Sequence, residues 1–191
     1  MLLQLTLQIL DWLFGFLTLA LLARVALQAV RAPYRNPLSQ FVVAVTDWAV
    51  LPARRLIPSA WGLDLPTLLL AWLTQAVFHG VVFGLVVSTA TLSAASVLGV
   101  ALFSLLATLR LGIYLVMGAV IVAALLSWVN PYAPLAPVLN AIGRPFLAPL
   151  QRIIPPIGGV DLSPLALLLL LQVVLSLLTG LQRMVLPFVP L

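Results

Sequence analysis

The chain has 191 residues, of which 64% are hydrophobic and only 7% charged, and its mean hydropathy is +1.26. A soluble domain carries about 25% charged residues, so there is too little polar material to cover a water-facing surface, and a water-soluble globular protein is excluded. Cysteine is absent, and the net charge of +5 comes from nine arginines against four aspartates; this removes disulfides, thiolate catalysis and Cys-ligated metals, and no long basic run points to nucleic acid.

Four segments are long enough to cross a hydrocarbon core that takes about 20 apolar residues as helix. They run from about Leu2 to Val30 (interrupted by Asp11 and Arg24), from Leu65 to Ser88, from Leu109 to Val129 and from Leu165 to Val185. The first is not expected to be a cleavable leader, because it lacks a basic start, carries Asp11 and outlasts an h-region. The stretch from Val97 to Thr108 is short for a span; it reads as a surface helix, an extension of the third span, or a further crossing.

The connections Arg31 to Asp64 and Asn130 to Pro164 repeat one another. Pro52, Arg55, Ile57, Pro58, Gly62 and Asp64 align with Pro149, Arg152, Ile154, Pro155, Gly159 and Asp161, all 97 positions apart. Upstream, Asn36-Pro37 aligns with Asn130-Pro131 at an offset of 94. So many fixed matches imply an internal duplication. The expected units are 1–90, with its loop 31–64, and 109–191, with its loop 130–164; 91–108 forms a connecting or interfacial segment. Two crossings between the loops make the repeats parallel, and three would invert them. Six of the nine arginines fall in the two loops, so the positive-inside rule puts both loops in the cytoplasm and both termini outside, with four spans.

Asn36-Pro37 and Asn130-Pro131 read as helix starts, with asparagine as cap and proline at the first helical position. Leu38, Phe41, Val42, Val45 and Ala49 then share a face, with Ser39, Gln40, Thr46 and Asp47 elsewhere, as in an amphipathic helix lying in the interface. Trp48 and Trp61 suit the headgroup layer. Pro134, Pro137 and Pro145 should make the second such helix shorter and more irregular. Pro52 to Pro58 leaves one or two turns, which carry Arg54 and Arg55; Arg144 and Arg152 stand in the second loop. A guanidinium there can hold a phosphate or carboxylate in bidentate geometry, so these arginines are candidates for binding lipid or a partner protein. The simpler reading is topological anchoring plus pairing with Asp64 and Asp161. Those aspartates precede spans, where they cap or favour a helix N-terminus; Ser163-Pro164 reads as a cap followed by a first helical residue. A cation site at the two aspartates is the less economical alternative.

Asp11 and Arg24 lie near the ends of their segment, where snorkelling relieves a charge, and Arg110 reads the same way. His79, mid-span, is expected to make an interhelical hydrogen bond, with a proton relay as the alternative. Gly80, Gly84 and Ser88 form a small-xxx-small stripe, suited to packing within the monomer or to a dimer interface. No phosphate loop, metal cluster or nucleophile–base pair is present, so neither enzyme activity nor a cofactor is expected. Haem would have only His79 with Met1, Met117 and Met184 as axial ligands.

The doubled pattern of Asn-Pro, Pro-x-x-Arg-x-Ile-Pro and Gly-x-Asp opening a hydrophobic helix resembles the YggT family, also called YlmG, which has plastid relatives. The second copy is the fuller match, with Trp128, Asn130-Pro131, Arg144-Pro145, Pro149, Arg152, Ile154-Pro155, Gly159 and Asp161-Leu-Ser-Pro164. The first departs where Pro66-Thr67 replaces Ser-Pro and where Trp48 replaces the proline aligned at 145. The resemblance implies a bacterial inner-membrane protein whose relatives are associated with envelope organisation, cell division, osmotic tolerance and, in plastids, maturation of the cytochrome b6f complex. The expected fold is an all-α integral membrane protein: four transmembrane helices in two tandem helical hairpins, each with an amphipathic interfacial helix in its loop. The expected role is a non-enzymatic accessory or scaffold protein binding membrane lipid, another membrane protein or its own copies, and no nucleic acid. A small oligomeric channel or transporter is the alternative.

Overall fold

The computed structural model describes residues 1–31, 36–58, 64–86, 93–154 and 161–185, which are helical throughout apart from turns and caps. Of the residues singled out in the sequence, Trp61, Gly62, Ser88, Pro155 and Gly159 lie outside the described residues. The elements are α1 (Leu2–Ala29), α2 (Pro37–Leu56), α3 (Leu65–Val86), α4 (Ala94–Val129), α5 (Ala136–Ile153) and α6 (Ser163–Val185). By length and composition α1, α3, α4 and α6 can each cross a membrane, and they match the four expected spans to within a few residues at most ends. The exception is α4. The Val97–Thr108 stretch is part of it, so α4 is one 36-residue helix, started by Ser93, whose Oγ accepts the Ser96 N–H at 3.1 Å. At 1.5 Å per residue it is about 54 Å long, well beyond a core of about 30 Å.

α1 packs along α3, and α4 along both α5 and α6. One apolar cluster joins Leu27 of α1, Val42 of α2, Ala119 of α4 and Val138 and Ile142 of α5. A second joins Leu21, Val50 and Ala71 of α1, α2 and α3. The first cluster holds α2 and α5, and the second α2, toward the end of the bundle where α1 finishes. Elsewhere the spans turn Leu73, Val77, Leu105, Leu109, Leu169 and Leu177 outward, as helices solvated by hydrocarbon do.

α2 starts as expected. Asn36 Oδ1 accepts the Ser39 N–H at 2.7 Å, Asn36 Nδ2 donates to Ser39 Oγ at 2.8 Å, and Pro37 is the first helical residue. Its inward face, however, is mixed. Ser39, Val42, Thr46 and Val50 are buried, while Phe41, Trp48, Leu51 and Leu56 are exposed. Val42 and Val50 enter the two apolar clusters, Thr46 meets a buried guanidinium, and the larger apolar groups turn outward because hydrocarbon tolerates them.

The expected helix start at Asn130-Pro131 is corrected. Asn130 ends α4, donating its N–H to the Leu126 carbonyl at 2.9 Å, and its Oδ1 accepts the Tyr132 N–H at 3.2 Å. α5 begins only at Ala136, with Pro137 in its first turn. Pro52, Pro145 and Pro149 do not interrupt their helices but lie inside α2 and α5. All three sit on exposed faces, where a missing backbone N–H and a displaced carbonyl are tolerated more easily than in a packed interior. α5 is therefore irregular in its entry but, at 18 residues against 20, hardly shorter than α2.

Candidate functional site

Arg54, in the last turn of α2, forms an ion pair with Asp64, the residue immediately before α3. Arg54 also donates to Gln28 Oε1 of α1 at 3.0 Å, and the Thr67 hydroxyl donates to Asp64 Oδ2 at 2.6 Å. Asp64 is 1% exposed. Burial pushes its carboxyl up, but the hydrogen bonds from Arg54 and Thr67 outweigh this and hold it below the usual carboxylate range. The Asp64 carbonyl accepts the Leu68 N–H at 3.0 Å, so this aspartate caps α3, clamps α2 and ties both to the end of α1.

The second copy differs in a way that the aligned Arg55 and Arg152 conceal. At the same offset, Arg54 aligns with Gln151. Gln151 Nε2 donates to Asp161 Oδ2 at 2.8 Å, while Asp161 Oδ1 accepts the Ser163 N–H at 2.8 Å. Asp161 is exposed, and the Ser163 hydrogen bonding, joined by Gln151, holds its carboxyl below the usual range. The expected Arg152–Asp161 pair is not formed. Ser163 is already the first helical residue of α6, so the capping acceptor is Asp161 rather than Ser163. Each aspartate engages the residue one position before the duplicated arginine.

Arg55, Arg144 and Arg152 are consequently left over. All three are exposed, and among the described residues none has an ion pair or hydrogen bond. Arg144 lines a cleft of about 750 Å³ between the end of α1 and α5, with Asn140, Pro145 and Gln151. The six charged residues expected at the site are therefore not one cluster. Arg54 and Asp64 are structural, Asp161 is a cap, and three arginines stand outward on α2 and α5 in the company of exposed Trp48, Leu56 and Ile153.

Sequence reasoning missed a second buried charge contact. Arg24 does not snorkel: it is 8% exposed, donates to Asp47 Oδ1 at 2.7 Å and to Thr46 Oγ1 at 2.8 Å, and so fastens α2 to α1. The signal was Thr46-Asp47, off the apolar face of a helix expected to lie in the interface. Those two positions align with Gly143 and Arg144 in the second copy. There a Cβ on Gly143 would stand 3.1 Å from Val120 Cγ2, so close backbone approach replaces the ionic contact.

His79 Nδ1–H donates to the Gln75 carbonyl within its own helix at 2.8 Å and lies 3.4 Å from Ser104 Oγ of α4. The firmer interhelical bonds are made by its neighbours: Gln75 Nε2 to Thr18 Oγ1 of α1 at 3.0 Å, and Trp72 Nε1 to the Ala101 carbonyl of α4 at 3.1 Å. Gly80 and Gly84 have no atom within 4 Å of where a Cβ would stand. They do not serve close packing inside the monomer, whereas Gly143 does.

Two stretches of the chain, residues 3–86 and 102–182, match the CCB3/YggT family. The chain belongs to the CCB3/YggT family. An uncharacterized protein of Vibrio alginolyticus is 38% identical over 162 residues, covering 84% of this chain and 85% of the relative. An uncharacterized protein of Pseudomonas aeruginosa is 35% identical over 173 residues, covering 87% and 84%. The uncharacterized protein YggT of Escherichia coli is 36% identical over 158 residues, covering 82% and 80%. No solved structure matches. The two matched stretches of this CCB3/YggT member take in the Arg54–Asp64 clamp's arginine and aspartate on one side and the Gln151–Asp161 contact on the other.

Proposed function

We propose that this CCB3/YggT protein is a non-enzymatic accessory or scaffold protein of the bacterial inner membrane, whose paired arginine-bearing helices α2 and α5 bind anionic lipid and a membrane-protein partner. The observation that carries this reading is the division of labour between adjacent positions. Arg54 and Gln151 engage the aspartates, and Arg55 and Arg152 are exposed and without an acidic partner among the described residues. An arginine retained in both copies and needed by neither local contact is suited to phosphate or carboxylate on another molecule. The duplication read from the sequence is supported by the two family-matched stretches. Each contains the same order of span, exposed-arginine helix and span. The outward Trp48, Phe41, Leu56 and Ile153 support an interfacial position for α2 and α5.

The reading places α2 and α5 on the cytoplasmic face. Because the chain has no cysteine, Trp48→Cys creates a single thiol. It should react with an impermeant maleimide in inverted vesicles and not in intact spheroplasts; the reverse pattern would overturn the orientation. Arg55→Ala with Arg152→Ala should abolish co-purification of the partner while leaving membrane insertion unchanged. Undiminished recovery of the partner would count against docking through these helices. The duplicated aspartates give little support to an ion path, since each is already engaged at the start of a helix.

A further inference from the structure

Along the N-terminal half of α1, a cleft of about 460 Å³ opens between α1, α3, α4 and the last turns of α6, and its Phe16 reaches the ring of Phe41 on α2, 6.3 Å between centroids. Its walls carry Asp11, His79, Arg110, Tyr114 and Gln182 beside the aromatic faces of Trp12, Phe16 and Phe103. Asp11 lies nine residues inside α1, about 14 Å along its axis, and His79 seven residues from the end of α3, about 10 Å. Charge at such depth in a spanning helix marks a functional site by default.

The two charges in this cleft are of opposite sign and yet do not neutralise each other. Asp11 has no ion pair or hydrogen bond among the described residues. Arg110 is held away from it: its Nε donates to the Tyr114 hydroxyl and its Nη1 to Gln182 Oε1, both at 3.3 Å, and its guanidinium sits 5.7 Å from the Tyr114 ring centroid. Those two long bonds leave most of its five N–H donors unused. His79 donates from Nδ1 to the Gln75 carbonyl, which leaves Nε2 of the neutral ring as an acceptor. The wall therefore presents an anion and an acceptor at one place, a fork of donors at another, and aromatic faces suited to an ammonium.

We propose that this cleft binds a small zwitterion, with a primary ammonium at Asp11 and an anionic group, phosphate or carboxylate, at Arg110. An aminophospholipid headgroup entering from the bilayer has this chemistry, and so does a free phosphoethanolamine-like solute. No residue of α2 or α5 lines the cleft, and the proposal does not rest on the docking reading.

The test is native mass spectrometry of the full chain, delipidated in mild detergent and then titrated with phosphatidylethanolamine, phosphatidylcholine or phosphatidylglycerol. Phosphatidylethanolamine should be retained at least tenfold more strongly than either of the others. Asp11→Asn and Arg110→Gln should each lower that retention at least tenfold. Gly15→Leu keeps both charges but fills the cleft, and it should do the same; Gly15 lines the cleft with no atom within 4 Å of its Cβ position, so this variant is expected to fold. Displacement of the lipid by millimolar phosphoethanolamine would assign the ligand to a soluble source, and failure to displace it would assign it to the bilayer. Equal retention of all three lipids, or full retention by folded Gly15→Leu, would overturn the proposal.

Discussion

A guanidinium buried in a membrane bundle needs a partner at its own depth, and Arg24 has one in Asp47. The pair is lopsided: the Arg24 side chain is 9% exposed and that of Asp47 37%. Removing Asp47 strands a buried charge, so Asp47→Ala should cost about 3–5 kcal/mol, read as a lowered midpoint of thermal unfolding in detergent. Removing Arg24 leaves a carboxylate that can still reach polar surroundings, so Arg24→Met should cost distinctly less; equal losses would show that the pair acts through something other than desolvation. The clamp at Asp64 has a pH signature. Its carboxyl lies below the ordinary range in the folded chain, so the unfolded chain binds more protons in the window between the two values. Stability from this group is thus fully present above about pH 4, the unfolded carboxylate value, and lost as the pH falls through the lower folded one. Acidification should lower the unfolding midpoint of the parent, and Asp64→Asn should flatten that slope.

The helical elements were largely legible because a run of apolar residues of spanning length admits few other structures. What misled was the use of rules made for water. Pro52, Pro145 and Pro149 break helices in a packed or solvated interior, but here they ride on exposed faces. α2 was expected as an amphipathic helix lying in the interface, but one side of it, with Val42, Thr46 and Val50, packs on the protein and gives Arg24 its partner there. The candidate site was legible only in part. The duplicated Arg55 and Arg152 drew attention by their identity, whereas the contacts to the aspartates are made by the neighbouring Arg54 and Gln151, which differ. For the arginines, identity across the copies marked what is exposed; the local packing partners had to be seen in space. Gly143 was not legible at all, since a glycine's neighbour cannot be read from sequence. Gly143→Ala places a Cβ 3.1 Å from Val120 Cγ2 and should destabilise by about 1–3 kcal/mol, as overpacking does. Val120→Ala should recover most of that loss in the double variant, and additive losses would place the strain elsewhere.

At the scale of the whole molecule, two regions of the bundle carry different chemistry. One presents the exposed arginines of α2 and α5, and the other holds the cleft between Asp11 and Arg110. α4 touches both: Val120 meets Gly143 near one end of it, and Ser104 and Arg110 face α3 and α6 toward the other. It contains no proline, the commonest cause of a sharp kink, and it is unbroken across the point where the two expected units meet. A continuous helix of this kind behaves as a strut. A tilt of α5 is thereby passed to the far half of α4, so the spacing of the groups around Arg110 is open to leverage from a surface some 15–25 Å away along the helix.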